Sequence, residues 1–453
     1  MNVMLFGLPR LLLTVLTVGS GIVVSASLIY LLLLLAAAIL GRPRRDAGQG
    51  GTFSPHVAVV IPAHNEELVL AATLHSLRQQ DYPAACIEIV VVADNCEDTT
   101  SAIARTWGAH VLERSDMTLC GKGYALEWAF SILLGALSPV TQASAFVIVD
   151  ADTLLAPNFL SVMVTRLQNE IGGTDPASAA TALQGRYGVL NSQEGWRTSL
   201  MTAAFDLVNH VRLLGAANLG WTVGLKGNGM LFTRALLEKA QWQGHSITED
   251  IDYGLDLLLH YNVKVQYEPQ ARVWAQMPED SSPAASQRER WERGRYRLVR
   301  ERVPTLFAQG IRRRSPALLA SAVDLVIPPL AELAGYLLLW GVCVGIGMVF
   351  CRFSTAWLVL WAAGGVCFLV YVLGGLKAAG ATRATFVGLL YAPVYIVWKF
   401  ALYAVRFVIG PFRRHAGAFA GSSKAADVDS WIRTERRAME PIVMSGKETP
   451  ERE

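Results

Sequence analysis

The chain has 453 residues, of which 52% are hydrophobic and 17% charged, and its formal net charge is +3. This composition is too apolar for an ordinary soluble enzyme, and the nearly balanced charge gives no sign of a polyanionic partner such as nucleic acid. The six cysteines lack any C-x-x-C spacing and three of them lie in apolar segments, which argues against a disulfide framework or a structural zinc site.

The first predicted element is a long apolar segment. Leu11 to Gly41 contains no charged residue and is followed by the basic sequence GRPRR. The segment is longer than the core of a signal peptide, about 7–15 residues, and longer than the roughly 20 residues that span a bilayer. It therefore predicts a transmembrane helix within residues 1–45. Because positive charges favour the cytoplasmic side, we expect the chain after Arg45 to be cytoplasmic.

Residues 53–302 predict a globular domain in which strands alternate with helices. HVAVVIPAHNEE and IEIVVVADNCED are β-branched runs that end in polar residues, and AHVLER and AFVIVDADT add two further strands. This alternation predicts a mostly parallel sheet covered on both faces, with ligands at the C-terminal ends of the strands. The polar residues expected at those ends are Asn65, Glu66, Asp94, Asp98, Asp150 and Asp152.

Two carboxylates, Asp150 and Asp152, follow the predicted buried strand AFVIV. Such a pair is unfavourable unless a positive group lies close to it. A hard divalent cation binds carboxylate oxygens and completes its coordination with substrate phosphates. A solvated acidic turn is the alternative for an isolated D-x-D, but the position after a buried strand favours a metal site.

Two later segments of the domain carry charge patterns with two interpretations each. In SITEDIDYGLDLLL, Thr248 stands at a helix N-cap and acids fill the first turn, where they also stabilise the helix dipole. SQRERWERGRYRLVRER, from Ser286 to Arg302, predicts a basic helix that either serves the site or contacts anionic lipid beside the membrane.

Residues 303–415 contain further apolar segments. Leu333 to Phe350 and Ala356 to Leu376 each predict a spanning helix, and the basic loop Lys377 to Arg383 is expected in the cytoplasm. Ala317 to Leu330 includes Asp324 and is predicted to be interfacial.

The segment Phe386 to Ile409 has two interpretations. It contains Pro393, Lys399 and Arg406 and is rich in aromatic residues, which favours an interfacial or re-entrant position over a fourth crossing. Residues 416–453 are then expected to form a cytoplasmic tail.

Taken together, the motifs PAHNEE with VADNCED, DAD, TED and Q-x-x-R-W resemble, in this order, those of family 2 glycosyltransferases. The resemblance covers about Val57 to Arg297 and is to the membrane-integrated group with synthases of cellulose, chitin, hyaluronan and poly-N-acetylglucosamine. It implies an α/β GT-A catalytic domain, with a Rossmann-like mixed sheet, joined to transmembrane and interfacial helices. It also implies an inverting transfer from a nucleotide sugar, expected to be a UDP-sugar, with Mg²⁺ or Mn²⁺ as cofactor.

The resemblance also implies roles for individual residues. Those implied to bind the donor are Pro62, Asn65, Glu66, Asp94, Lys122, Asp150, Gln287 and Arg290. Those implied to bind the acceptor are Asn228, Gly229, Glu249 and Trp291. Asp152 is implied as the metal ligand and Asp250 as the catalytic base, while Lys122 is equally compatible with an exposed loop lysine. Ala93 stands where many relatives carry another Asp, which makes the contact with the base less specific.

Three functions remain open at this point. The favoured one is transfer to a lipid or lipid-linked acceptor, because about three crossings are too few for one chain to enclose a polymer channel. The second is a processive synthase that elongates and exports a β-linked polysaccharide. The third is a non-catalytic scaffold of an assembly complex, which the presence of Asp250, Arg290 and Trp291 disfavours.

The expected location is the bacterial plasma membrane, with several crossings and a cytoplasmic catalytic domain. Membrane lipid and polysaccharide export proteins are the expected partners besides the substrates.

Overall fold

The computed structural model describes residues 2–41, 54–136, 138–172, 174–243, 248–277, 281–399 and 437–439; the side chains of 2–9 and 281–291 are outside this description. The strands are Val57–Ala63 (β1), Ile87–Asp94 (β2), His110–Arg114 (β3), Ala145–Ile148 (β4), Thr153–Leu155 (β5), Ala182–Val189 (β6), Met230–Thr233 (β7) and Val265–Ala275 (β8). The first helices are Asn2–Leu40 (α1), Leu70–Arg78 (α2), Thr100–Thr106 (α3), Lys122–Leu133 (α4), Phe159–Glu170 (α5), Trp196–Phe205 (α6) and Arg212–Asn218 (α7). The later helices are Arg234–Lys239 (α8), Glu249–Tyr261 (α9), Ser281–Arg312 (α10), Pro316–Val326 (α11), Leu330–Phe350 (α12), Thr355–Ala379 (α13) and Arg383–Gly388 (α14). A π-helical turn, Asp206–Val211, joins α6 to α7.

The eight strands form one mixed sheet in the order β3-β2-β1-β4-β7-β6-β8-β5. The first four are parallel, whereas β7 is antiparallel to both β4 and β6, and β5 is antiparallel to β8. Ala58 and Val60 of β1 face one core, while Val57, Val59 and Ile61 face the other. Burial on both faces explains why β1 is a continuous apolar run. The C-terminal ends of β1, β2 and β4 meet at one edge.

Three described helices are long and apolar enough to span a bilayer. They are Arg10–Leu40 within α1, Leu330–Phe350 and Thr355–Ala379. All three were predicted from the sequence. Helix α11, with 11 residues, is too short to span, since a crossing needs about 20 residues.

The end of the chain is described only in part. After α14, residues 392–399 are helical, and the remainder of the segment predicted to be interfacial, up to Ile409, lies outside the described residues. The linker before β1 and the predicted tail also lie outside them, except for residues 437–439. There, Met439 N donates to Leu68 O at 3.0 Å, and the Met439 side chain is buried beside Val69 and Trp274.

Helix α1 packs directly on the domain that contains the sheet. Leu34 belongs to the same core as Leu213 of α7, and a Cβ added at Gly215 would lie 2.2 Å from Leu34 O. Asn218 Nδ2 donates to Ala37 O at 2.9 Å. The close approach of two helix backbones requires a glycine at this crossing, so the candidate spanning helix α1 and the domain form one packed unit.

An ion pair attaches helix α11 to the domain, and a hydrogen bond attaches helix α13 to it. Arg212 Nη2 donates to Asp324 Oδ1 of α11 at 2.5 Å, and Tyr30 of α1 donates to the same oxygen at 3.3 Å. Arg186 of β6 pairs with Asp206 at 2.9 Å and donates to Ala379 O at 3.0 Å. The second contact places a cation at the C-terminal end of α13, where helix carbonyls attract positive charge.

Candidate active site

The loops after β1 and β2 are held together by hydrogen bonds. Glu66 N donates to Thr100 Oγ1 at 2.8 Å, and Glu97 N donates to Asn65 Oδ1 at 2.8 Å. Asn65 has a φ of 56°, a left-handed conformation that Asn adopts more readily than most residues. Pro62 pairs with Val92 near the end of the same strand. The three predicted donor-loop residues therefore lie at the C-terminal edge of the sheet.

Asp94, at the end of β2, is buried and paired with a cation. Its side chain is 1% exposed, and Arg114 Nη1 donates to Asp94 Oδ1 at 2.6 Å. Arg114 also donates to Leu119 O at 2.7 Å. Burial raises the pKa of Asp94, although the Arg114 guanidinium opposes this. Sequence reasoning missed Arg114; the signal was its place at the end of β3, which pairs it with Asp94 in parallel register.

Lys122, the first residue of α4, lies inside the site. Its Nζ donates to Asp150 Oδ1 and, at 2.6 Å, to Gly227 O. Burial alone would lower the pKa of Lys122, but the carboxylates of Asp150, Glu249 and Asp250 outweigh it and raise the pKa above its usual value. The side chain is 20% exposed, so this residue is not an exposed loop lysine.

Asn228 fixes the turn that carries Asp150 and Asp152. Its Oδ1 accepts from Asp150 N at 3.2 Å and its Nδ2 donates to Thr153 Oγ1 at 2.7 Å. Asn228 is 0% exposed and Asp152 is 4% exposed. Gly229, next to it, has a φ of 65°. The predicted acceptor residue Asn228 is thus buried beneath the acidic turn, where it holds the backbone at Asp150 and the side chain of Thr153.

The acidic pair Glu249 and Asp250 opens α9 on the other side of Gly227. A Cβ added at Gly227 would lie 3.4 Å from Asp250 Oδ2 and 3.7 Å from Lys122 Nζ. Thr248 is the N-cap residue, as predicted, but its side chain makes no capping hydrogen bond. Burial raises the pKa of Glu249 to about 8, assisted by the charge of Asp250, and burial also raises the pKa of Asp250.

Helix α10 contains the predicted Q-x-x-R-W motif. The side chains of Gln287, Arg290 and Trp291 lie outside the described residues. Their helix passes the start of α9, because a Cβ added at Gly294 would lie 2.5 Å from Thr248 Cγ2. The roles of these three side chains remain predictions.

The chemistry of the site fits a divalent cation whose coordination the substrate completes. Among the described residues, no group of three or more His, Cys, Asp or Glu side chains could hold a metal ion unaided. The ligands offered beside the acidic turn are carboxylate oxygens, which suit Mg²⁺ or Mn²⁺. Such an ion binds with few protein ligands when substrate phosphates supply the others.

A mixed GT-A sheet with acidic residues at its strand ends is typical of glycosyltransferases, and this is the class of protein that the fold and the site define. Residues 55–294 match the model of glycosyltransferase-like family 2, and the chain belongs to this family. This match confirms the family and fold that the sequence motifs predicted.

Curated relatives agree with this family. A beta-monoglucosyldiacylglycerol synthase of Trichormus variabilis is 27% identical over 268 residues, which cover 57% of this chain and 53% of the relative. The matched region thus spans about half the length of that relative. An N-acetylglucosaminyltransferase of Rhizobium meliloti is 23% identical over 418 residues, covering 87% of this chain and 85% of the relative. A mannosyltransferase of Pyrobaculum calidifontis, solved with GDP-Man and Mn²⁺, has a TM-score of 0.49 at 20% identity and covers 86% of this chain and 98% of its own.

Proposed function

We propose that this protein is an inverting hexosyltransferase that transfers a sugar from a UDP-sugar to a lipid or lipid-linked acceptor at the cytoplasmic face of a bacterial plasma membrane. The observation that carries the proposal is the position of the acidic site. Lys122, Asp150 and Asp250 surround Gly227, in a domain that packs on the spanning helix α1 and is joined to α11. An acceptor anchored in the bilayer could therefore reach Asp250 without leaving the membrane.

Asp250 acts as the general base in this proposal. One in-line displacement inverts the anomeric carbon and requires a single base to take the proton of the acceptor hydroxyl. The raised pKa of Asp250 makes its carboxylate a stronger base than a solvated aspartate. Glu249, with a pKa of about 8, holds its proton at neutral pH and donates a hydrogen bond to the acceptor instead of competing for the proton.

The donor occupies the edge formed by the ends of β1, β2 and β4. Asn65, Glu66 and Asp94 hold the nucleoside, and Asp150 contacts the ribose or the sugar. Lys122 turns toward the diphosphate as the donor enters. The guanidinium of Arg290 is predicted to contact the same diphosphate. Because the leaving nucleotide carries negative charge, these cations stabilise its departure.

Asp152 would hold a Mg²⁺ or Mn²⁺ ion beside the diphosphate. When bound, the ion neutralises the charge that develops on the leaving group. Carboxylate and phosphate oxygens are suitable ligands for either ion.

The test is product analysis with the purified protein in lipid nanodiscs and a panel of UDP-sugars. We expect a product that partitions into organic solvent, carries one or a few sugars and has an inverted anomeric configuration. A long polymer made by the purified protein alone would support the processive synthase instead.

Asp250→Asn tests the base within the same assay. Transfer should fall by at least about 10²-fold, while the affinity for UDP and Mn²⁺ is retained. The matched control is Asp252→Asn, two residues along α9, because Asp252 pairs with Arg302 at 2.7 Å instead of facing Gly227. Near-normal turnover of Asp250→Asn would assign the base to another residue.

A further inference from the structure

A buried charge cluster joins helix α10 to α12 and to the helical residues 392–399. Lys399 is 4% exposed, and its Nζ lies 2.8 Å from Glu292 Oε1 of α10. The same Nζ lies 3.3 Å from Oε1 of Glu332, a buried residue in the first turn of α12. The lysine therefore pairs with carboxylates from two different helices.

Two further contacts hold the same turn of α10. Tyr296 Oη donates to Glu332 Oε2 at 3.2 Å. Arg295 Nη2 donates at 2.8 Å to the carbonyl oxygen of Ile327, directly after α11, and Arg295 Nη1 lies 3.9 Å from Glu332 Oε2. Side chains of α10 are thus tied to α11, to α12 and, through Lys399, to the helical residues that follow α14.

The same turn of α10 also contacts the candidate active site. Gly294 lies two residues after Glu292, and a Cβ added to it would lie 2.5 Å from Thr248 Cγ2. Thr248 precedes the proposed base, Asp250, by two residues, and Glu292 directly follows Trp291 of the predicted Q-x-x-R-W motif. A shift of this turn would therefore change the position of the motif relative to the base.

The cluster is better suited to fixing a geometry than to stabilising the fold. Burying an ammonium group and two carboxylates costs solvation free energy that can exceed what the ion pairs return. Well-packed apolar residues at the same places often stabilise a protein as much or more. Paired charges, in contrast, satisfy each other only at short separations and defined angles, so they hold their helices in one arrangement.

We propose that Lys399 is a positioning residue, whose pair with Glu292 holds α10 so that the Q-x-x-R-W motif and Asp250 meet in the arrangement that transfer requires. The inference rests on the proposed function and gives a role to a residue of the segment Phe386 to Ile409. A displacement of about 1 Å can lower the rate of an enzyme by about 10²-fold. Loss of the pair should therefore lower kcat.

The experiment measures kcat and the unfolding midpoint of full-length variants in nanodiscs of bacterial polar lipid with added dioleoylglycerol. UDP release is followed with saturating UDP-glucose, UDP-galactose or UDP-N-acetylglucosamine, whichever the wild type uses, at a temperature well below every midpoint. Lys399→Met should lower kcat by about 10- to 100-fold. It should also lower the midpoint, because two buried carboxylates lose a cation. Lys399→Arg keeps a cation suited to buried ion pairs and should retain most of the wild-type kcat.

A double variant separates position from stability. Lys399→Met combined with Glu292→Met replaces the pair by apolar side chains, so the midpoint should return close to that of the wild type. Its kcat should stay at least about 10-fold below wild type, since nothing then fixes the position of α10. The control is Glu301→Met, which removes an exposed acid of α10 that pairs with Arg297 at 3.1 Å. It should match the wild type in kcat and in midpoint.

Recovery of both the midpoint and the wild-type kcat in the double variant would overturn the inference, because Lys399 would then serve stability alone. A wild-type kcat in Lys399→Met, or an equal loss in Glu301→Met, would overturn it as well. These outcomes leave the proposed function intact. A long polymer as the product would overturn the proposed function, while the same comparison of kcat values would still decide the role of Lys399. Use of none of the three UDP-sugars by the wild type would overturn both.

Discussion

Replacing Gly215 with alanine should loosen helix α1 from the glycosyltransferase domain. The new Cβ would lie 2.2 Å from Leu34 O and 2.9 Å from Leu34 Cα. Non-bonded carbon atoms are normally separated by about 3.5–4.0 Å. Both opposing atoms belong to the backbone of α1 and cannot rotate away, so the two helices must separate by roughly 1 Å, as the difference from a normal contact requires.

The expected loss of stability follows from two opposing effects. Overpacking costs about 1–3 kcal/mol, and a clash with backbone belongs near the upper end of this range. Alanine regains about 1 kcal/mol over glycine in a helix interior. The net loss of about 2 kcal/mol should lower the unfolding midpoint by about 4–8 °C for a domain of this size.

The assay is thermal unfolding in nanodiscs, followed by tryptophan fluorescence. Gly19→Ala, in the facing helix α1, is the control, because a Cβ added there meets no atom within 4 Å. Its midpoint should be unchanged or raised. Unfolding of Gly215→Ala at the same temperature as Gly19→Ala would show that α1 and α7 are not in close contact.

Four further predictions concern the site and the topology. Asp152→Ala should abolish the Mn²⁺-dependent part of UDP binding in calorimetry, and unchanged affinity would remove Asp152 as the metal ligand. Arg114→Met should cost about 3–5 kcal/mol, because a buried carboxylate loses its partner; Arg105→Met, in an exposed pair, should cost less than about 1 kcal/mol in the same denaturation experiment. In the folded protein, Glu249 keeps its proton up to about pH 8, whereas its pKa in the unfolded chain is the usual 4.5. The contribution of Glu249 to the free energy of unfolding is therefore lost as the pH rises from 4.5 to about 8. Glu249→Gln should therefore raise the unfolding midpoint relative to wild type at pH 9 but not at pH 4, and equal differences at both pH values would contradict the assignment. In a variant that retains Cys351 as its single cysteine, an impermeant thiol reagent should label intact cells, which would place the loop between α12 and α13 in the periplasm.

Features that depend only on residues close together in the chain could be predicted from the sequence. Local patterns account for the apolar runs of β1 and β2 with their polar ends, for the three candidate spanning helices and for the start of α9 after Thr248. The length of an apolar segment decides whether it can cross a bilayer, and a continuous β-branched run indicates a strand buried on both faces. The position of the acids at one edge then follows from the parallel arrangement of the strands.

The partners of these residues were decided by the tertiary structure. No local pattern indicates that Arg114 neutralises Asp94 or that Lys122 bonds to Asp150. Strand β7, antiparallel between β4 and β6, breaks the parallel order that strand–helix alternation predicts, and it places the Gly227 loop beside the acidic turn.

The glycine at the crossing of α7 and α1 is a further feature that could not be predicted from the sequence alone. Gly215 meets Leu34, a residue far away in the sequence, and its need for space is set by the packing of two helices and not by its neighbours in the chain. Sequence periodicity records which face of an element is apolar, whereas the partner that covers this face, and the charge that balances a buried carboxylate, are chosen when distant segments pack together.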